Sequence, residues 1–425
     1  MIYKCRGLVL LINIYESNIY QAKKEAIMME LKYGPRKGIW VEEPASFEKL
    51  HRNSFGTNKK GKLFLEVEEA LYALNFLRGT CLHGKKGLGF NELAAIYAKE
   101  NPRLLIRYNA YRDWRDRGLI LKRIEYLDRE NVRKRPRISR KYPAKSIRKL
   151  RLKSGAVWYP SSMFSVMEDE AEGRKLFGEY WFGQWGIYKQ DRGNLLKMEF
   201  METVFLAKHF GLKVRDLETG KPLKHGEILR QVIKEREYAR QLYEVYEDWR
   251  LKAFVIKTGF KFGTHFRIYF PGASPKQEDK EWIHSRHVIH VFPKDQKMLI
   301  SEWARAVRVA HGVKKTFLLS IPEMKKEDYV DYPAEFIAWR RKKHGKDWMR
   351  ETPEDRPRYL LVAVAEDEHI GGIELASLLK KAESMGLELI LSISDRETAI
   401  TYYVLKKVIL PGSDYEYYEI EWMKP

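Results

Sequence analysis

Two internal repeats constrain this chain more than any other feature of its sequence. At an offset of 135, Tyr108, Tyr111, Asp113, Trp114, Arg115 and Lys122 meet Tyr243, Tyr246, Asp248, Trp249, Arg250 and Lys257, six identities in fifteen positions. Ser54-Phe55-Gly56 echoes Trp181-Phe182-Gly183 ahead of each helical region. At an offset of 72, Trp303, Ala306, Val307 and Ala310 meet Leu375, Leu378, Leu379 and Ala382, so a whole apolar helix face recurs. Asp295, Glu302, Leu319, Ser320 and Ile321 likewise meet Asp367, Glu374, Leu391, Ser392 and Ile393. Internal self-similarity of this kind marks duplicated structural units. The order it gives is one unit, then a copy of it joined to a second kind of unit, then a copy of that second kind. A chain of 425 residues has room for such a set of small domains.

The first unit reads as helices followed by a short strand, which suggests a small α+β domain. Glu66, Glu68 and Glu69 among Leu65, Val67, Ala70, Leu71 and Leu74 predict an amphipathic helix with an acidic start. Asn91 is placed to cap the next helix at Glu92. Arg103–Arg117 reads as a third helix, ended by Gly118 before the apolar Leu119-Ile120-Leu121. Between the two copies, Arg133–Lys153 holds eleven Lys or Arg and no acid. That run is expected to be a solvated linker, an electrostatic contact for phosphates, or both.

From Phe266 to Ile321 the pattern changes. Phe266, Ile268 and Phe270 alternate with Arg267 and Tyr269 as a half-buried strand does, and Pro271-Gly272 breaks it. Val288–Phe292 is a second short apolar run. Trp303, Ala306, Val307 and Ala310 fall at helical spacing, with Gly312 expected to end the helix. Lys315, Phe317, Leu319 and Ile321 alternate into a third strand. Three polar residues stand at the edges: Tyr269 at a strand end, His284 after the loop, and Lys315 at a strand start. His284, His287 and His290 do not suggest a metal site, because a spacing of three cannot place all of them on one strand face. No cysteine or carboxylate cluster joins them at ligand spacing, so neither metal nor cofactor is expected.

The segments KTGFKFGTHFRIY, HSRHVIHVF and RVAHGVKKTFLL resemble the catalytic domain of archaeal tRNA-splicing (tRNA-intron) endonucleases. In that family a Tyr, a His and a Lys form a metal-independent RNA-cleaving triad. The resemblance implies that Tyr269, His284 and Lys315 are its members here. Lys314-Lys315 stands where the family more often shows Arg-Lys, Gly312 where Ser is usual, and the Tyr-to-His loop is long, spanning 15 positions. The offset of 72 puts Arg356 where His284 stands and Leu387 where Lys315 stands. The chain as a whole therefore resembles the three-unit, homodimeric type of this family. The implied fold is α+β/α/β multidomain: repeated small α+β N-terminal-type units plus two nuclease-like α/β C-terminal units, the last degenerate. The divisions are 1–32, an N-terminal extension; 33–127, a first, non-catalytic N-terminal-type unit; 128–155, a basic linker; 156–262, a second N-terminal-type unit; 263–342, the catalytic unit; 343–357, a linker; and 358–425, the degenerate structural unit.

The resemblance implies an enzyme that cuts precursor tRNA at bulge-helix-bulge junctions by 2′-OH attack. Its products would be 2′,3′-cyclic phosphate and 5′-OH ends. Tyr269 would take the 2′-OH proton, His284 protonate the 5′-oxygen, and Lys315 hold the phosphorane. Because RNA carries its own nucleophile, a base, an acid and charge stabilisation suffice. With an ordinary pKa near 10, a tyrosine is only ~0.1% ionised at neutral pH. A positive surround of Arg267, Arg286, Lys314 and Lys315 would favour its phenolate. Arg308 is implied as a clamp on a bulge base, with Arg340 and Arg341 as candidates for a second; Arg286 and Lys314 are further RNA contacts. An acidic loop, Asp395-Arg396-Glu397, is implied to dock on a partner copy of the chain. Seventy-nine Lys and Arg against 58 Asp and Glu give a formal charge of +21, which suits a polyanionic partner. Two cysteines are too few for a disulfide framework, so a cytoplasmic setting is expected, with no membrane partner. The competing classes are a non-catalytic RNA-binding or scaffold subunit and a metal-dependent DNA nuclease on a similar core.

Overall fold

The computed structural model describes residues 29–127, 138–187, 192–275 and 284–425. The chain is a mixed α+β protein of several sheets that divides into two compact units. One holds the described residues up to Lys122 together with Ala338–Pro357. The other holds Arg123–Ile337 and Arg358–Pro425.

The first unit begins before residue 33. Met29, Leu31 and Tyr33 alternate with Glu30 and Lys32, and this period-two pattern makes Met29–Gly34 a central strand. Its sheet runs Thr57–Lys59, Lys62–Leu65, Gly38–Val41, Met29–Gly34, Gly79–His83, Lys86–Leu88, with only the Met29–Gly34/Gly79–His83 pair parallel. The second unit contains a sheet of the same order: Gln184–Trp185, Leu196–Glu199, Phe164–Met167, Gly155–Tyr159, Lys213–Asp216, Pro222–Leu223. Again one pair is parallel, Gly155–Tyr159 with Lys213–Asp216.

Each of these sheets carries the same buried polar knot. In one, the Lys122 ammonium donates to Glu69 at 2.9 Å and to the Gly56 carbonyl at 3.0 Å, and the Arg115 guanidinium lies 4.0 Å over the Phe55 ring. In the other, Lys257 donates to Glu202 and to the Gly183 carbonyl, both at 2.8 Å, and Arg250 lies 3.9 Å over Phe182. The two glycines have φ of 59° and 64°. A Cβ there would meet a strand carbonyl, Phe64 O or Lys197 O, at 2.6 and 2.5 Å, so a side chain is excluded on both counts. One part of the knot is not shared. Glu68 pairs with Arg107 at 2.8 Å in the first copy, where the second has buried Met201 and Leu242, an exchange of a buried ion pair for apolar packing.

Several local expectations change. The helix Val67–Phe76 has its acidic start buried, where Glu68 and Glu69 have cationic partners from elsewhere in the unit. The next helix starts at Phe90, not after Asn91: Gly89 is its N-cap, and Glu92 reaches back to the Gly89 N–H at 2.8 Å. Gly312 is the last residue of the helix Ile300–Gly312, and the left-handed position beyond it is Lys314, φ 55°. The stretch 343–357 is not a bare linker. Arg341–His344 and Asp347–Arg350 form a hairpin assigned to the first compact unit, which shortens the expected catalytic unit at its C-terminal end. The N-terminal extension up to residue 28 and residues 133–137 of the basic run lie outside the described residues.

The large sheet of the second unit runs Val255–Thr258, Phe266–Tyr269, His287–Val291, Thr316–Ser320, Tyr417–Met423, Ile400–Ile409, Glu388–Ser394, Tyr359–Ala365. Helix Ile300–Gly312 crosses between the parallel strands His287–Val291 and Thr316–Ser320. Helix Gly372–Ser384 crosses between Tyr359–Ala365 and Glu388–Ser394, so both pairs have the parallel-strand, helical-crossover form. Phe317, Leu318 and Leu319 are all fully buried, as in a central strand covered on both faces rather than the alternating strand expected from Lys315, Phe317 and Leu319. The strand Tyr417–Met423 pairs antiparallel with both Thr316–Ser320 and Ile400–Ile409 and so joins the two helix-crossover pairs in one sheet.

Candidate active site

The strand register sets the site. Ile268 faces His287 across one ladder and His287 faces Thr316 across the next. Thr316 N–H donates to the Arg286 carbonyl at 3.0 Å. Tyr269, the segment His284-Ser285-Arg286 and Lys315 therefore lie at the same end of three neighbouring strands, although 46 positions separate the first from the last.

Each side chain is held differently. Tyr269 is buried, with its ring 4.7 Å from Trp181 and the Arg267 guanidinium 5.9 Å from its centroid. Arg267 is itself tethered, Nε donating to the Thr258 carbonyl at 2.7 Å. Lys315 is buried too. Its ammonium donates to the Ser285 carbonyl and, at 2.9 Å, to the Ser285 hydroxyl, and it lies 4.9 Å over the Phe262 ring. Burial first, and then the Arg267 charge, lower the Lys315 pKa from its ordinary value. His284 is exposed beside the buried Ser285. A phenol, an imidazole and a fixed ammonium at one sheet end can remove a proton, supply one and stabilise negative charge between them.

The other residues singled out from sequence scatter more widely. Arg286 and Lys314 are exposed at this strand end. Arg308 is exposed on helix Ile300–Gly312, and its charge opposes the upward push of burial on the Tyr403 phenol. Arg340 and Arg341 belong to the first compact unit. There Arg341 donates to the Arg117 carbonyl at 2.6 Å, and the Arg340 Nε lies 3.8 Å from the Glu351 carboxylate, whose backbone N–H donates to the Arg340 carbonyl at 3.0 Å. Asp395 closes a turn by accepting the Ala399 N–H at 2.8 Å, and Glu397 is exposed at its tip.

His287 and His290 divide as strand periodicity requires. His287 packs edge-on against Tyr142 at 5.6 Å, and its pKa is lowered to about 4 by burial and by Arg140. The His290 ring lies 4.6 Å from that of His265 and tilted 41° to it, and burial lowers its pKa to about 4. Among the described residues no three His, Cys, Asp or Glu converge as metal ligands. Two contributors were not legible as such. Ser285 is visible in the sequence only as the residue after His284. Trp181 is visible only as part of a repeated Trp-Phe-Gly echo.

This donor set lies at one end of a mixed sheet, where Phe266–Tyr269 pairs antiparallel with His287–Val291 and His287–Val291 pairs parallel with Thr316–Ser320. Comparison with known proteins identifies the family. Residues 239–332 match the model of the tRNA intron endonuclease catalytic C-terminal domain. A tRNA-splicing endonuclease of Methanopyrus kandleri is 32% identical over 153 residues, covering 36% of this chain and 79% of that protein. One from Pyrococcus abyssi is 31% identical over 152 residues, covering 36% and 82%. One from Methanococcoides burtonii is 41% identical over 87 residues, covering 20% and 24%. The chain belongs to the tRNA-splicing endonuclease family and is an endonuclease.

Proposed function

We propose that this enzyme cuts precursor tRNA at bulge-helix-bulge junctions by 2′-OH attack without a divalent metal, leaving 2′,3′-cyclic phosphate and 5′-OH ends. The observation that carries the reading is the convergence of Tyr269, His284 and Lys315 at one end of adjacent strands, with Lys315 fixed by Ser285. Tyr269 removes the 2′-OH proton, His284 protonates the leaving 5′-oxygen, and Lys315 stabilises the charged phosphorane. The family's catalytic model and the named relatives support tRNA as the substrate. Incubating the chain with a bulge-helix-bulge precursor tRNA in EDTA tests this directly. Cleavage with cyclic phosphate ends is expected; cleavage that needs added magnesium would overturn the mechanism.

The architecture proposed is an N-terminal-type unit, a second such unit joined to the catalytic unit, and a degenerate C-terminal-type unit. The matching strand orders of the two six-stranded sheets support the first repeat. Identical register at the offset of 72, His287 with Thr316 and Tyr359 with Glu388, supports the second. With one site per chain and two scissile bonds per substrate, the working form is a C2 homodimer in the cytoplasm. Asp395 and Glu397 dock on the partner copy. Asp395→Lys with Glu397→Lys is expected to abolish cleavage, and sedimentation separates lost assembly from lost docking. Arg308 stacks on a bulge base, with Arg340 or Arg341 as the second clamp and Arg286 and Lys314 on phosphates. Arg308→Lys keeps the charge but loses the planar face, so an unchanged rate would refute stacking.

A further inference from the structure

We propose that residues 138–153 form a preorganised strap that binds the phosphates of the RNA substrate. The proposal rests on RNA being the substrate, as argued above.

A solvated linker should have no regular attachment to the fold. This one is pinned at every fifth residue. The N–H groups of Tyr142, Ile147 and Leu152 donate to the carbonyls of Ile409, Leu251 and Phe210 at 2.8, 2.9 and 2.9 Å. Tyr142 and Leu152 are buried in the core of the second compact unit, and Ile147 packs against it. Upstream, Ile138–Lys141 adds a parallel strand beside Ile400–Ile409. There Ser139 and Arg140 both bind the buried Glu419 carboxylate, at 2.5 and 3.1 Å.

Between the pins stand the cations. Lys145, Arg148, Lys149 and Arg151 are exposed. Among the described residues none of these four makes an ion pair; Lys149 has a 3.4 Å contact with His209. The segment contains no acid that could neutralise them. Holding like charges together on a fixed backbone is unfavourable in isolation and becomes favourable when a polyanion replaces their counterions. Because the backbone is already ordered, little conformational entropy is lost on binding.

One pin also packs beside the strands that carry the candidate site. The Tyr142 ring lies 6.2 Å from Phe270, the residue after Tyr269, and 5.6 Å from His287, the residue after Arg286. From there the strap passes to Leu251 and Phe210, at the C-terminal ends of helices Ala239–Leu251 and Phe200–His209. Cations at helix C-termini could instead serve the helix dipoles alone. The two roles make different predictions.

The test uses the full-length chain and a labelled RNA duplex carrying two three-nucleotide bulges. The variant Lys145→Gln/Arg148→Gln/Lys149→Gln/Arg151→Gln is compared with the wild type. A charge-keeping control exchanges each Lys for Arg and each Arg for Lys. The expected result is ~10–100-fold weaker binding at about 0.1 M salt and a salt slope shallower by about 3 in the Gln variant. The control should keep the slope. An unchanged slope in a Gln variant whose melting temperature falls would assign the cations to the helices and overturn the proposal. Loss of binding to phosphatidylserine vesicles with the RNA slope intact would assign the strap to a membrane, and equally overturn it. Wild-type protein that binds the probe but leaves it uncut would count against the proposed function, while the slope comparison would still decide the strap.

Discussion

The strand pair His287–Val291/Thr316–Ser320 and the pair Tyr359–Ala365/Glu388–Ser394 share register, crossover helix length and even the turn that closes the helix. Lys315 N–H donates to the Ala310 carbonyl after a left-handed Lys314, and Leu387 N–H donates to Ala382 after a left-handed Gly386. What differs is the chemistry at the strand ends. One end buries an ammonium against a serine and leaves Arg286 exposed. In the other, Leu387 is simply buried, and Arg358 is consumed by an ion pair with Glu388. The buried ammonium held by Ser285 and the Phe262 ring and the buried Arg358–Glu388 pair both carry desolvation costs, whereas leucine packing does not. The contrast teaches that one backbone register admits two solutions at this end, a hydrogen-bonded buried cation or an apolar side chain beside a closed ion pair.

Exchanging the two solutions breaks the comparison most strongly. Lys315→Leu imports the C-terminal choice and should lower single-turnover cleavage by ~10²–10³-fold while the melting temperature holds or rises. His284→Ala and Tyr269→Phe should lose ~10²-fold or more with RNA binding retained. Near-wild-type rates in all three would refute the assignment of roles. A smaller effect is expected in the other strand pair. Arg358→Leu strands the buried Glu388 carboxylate and should cost about 3 kcal/mol in denaturant unfolding with no new activity. A variant as stable as wild type would show that the ion pair is not what closes that end.

The smallest effects concern pH. His265, His287 and His290 have pKa values lowered to about 3, 4 and 4, chiefly by burial. Their neutral forms are favoured in the folded chain, so this stability is complete above the ordinary histidine value near 6.5. It is lost progressively as pH falls from there towards 4. Melting temperature should therefore drop between pH 7 and 4, and His290→Asn should flatten part of that drop. At the other extreme, the lowered Lys315 pKa means that a cation-dependent rate declines at a pH below that of an ordinary lysine as pH rises. A rate that holds through pH 10.5 would separate the ammonium charge from the chemistry.

The sequence by itself determined the elements whose signals are local. Trp303, Val307 and Ala310 specify their helix through spacing alone, and identities recur at offsets of 135 and 72. The strand-edge positions of Tyr269, His284 and Lys315 were legible for the same reason; a shared role for them is implied only by the resemblance. Tertiary structure decided what depends on residues far apart in the chain. The acidic start of Val67–Phe76 could not be known to be buried, because its partners Arg107 and Lys122 lie 39 and 53 positions away. Asn91 loses the cap because the Glu92 side chain turns back to Gly89, a choice between two acceptable caps that composition does not rank. The basic run looks like a linker in sequence, since pins at every fifth residue match neither helix nor strand periodicity. Only the carbonyls of Ile409, Leu251 and Phe210, brought beside it by the fold, make it a fixed surface. Periodicity encodes which face is apolar; which distant group satisfies a buried charge or an unpaired N–H is settled only when the chain closes on itself.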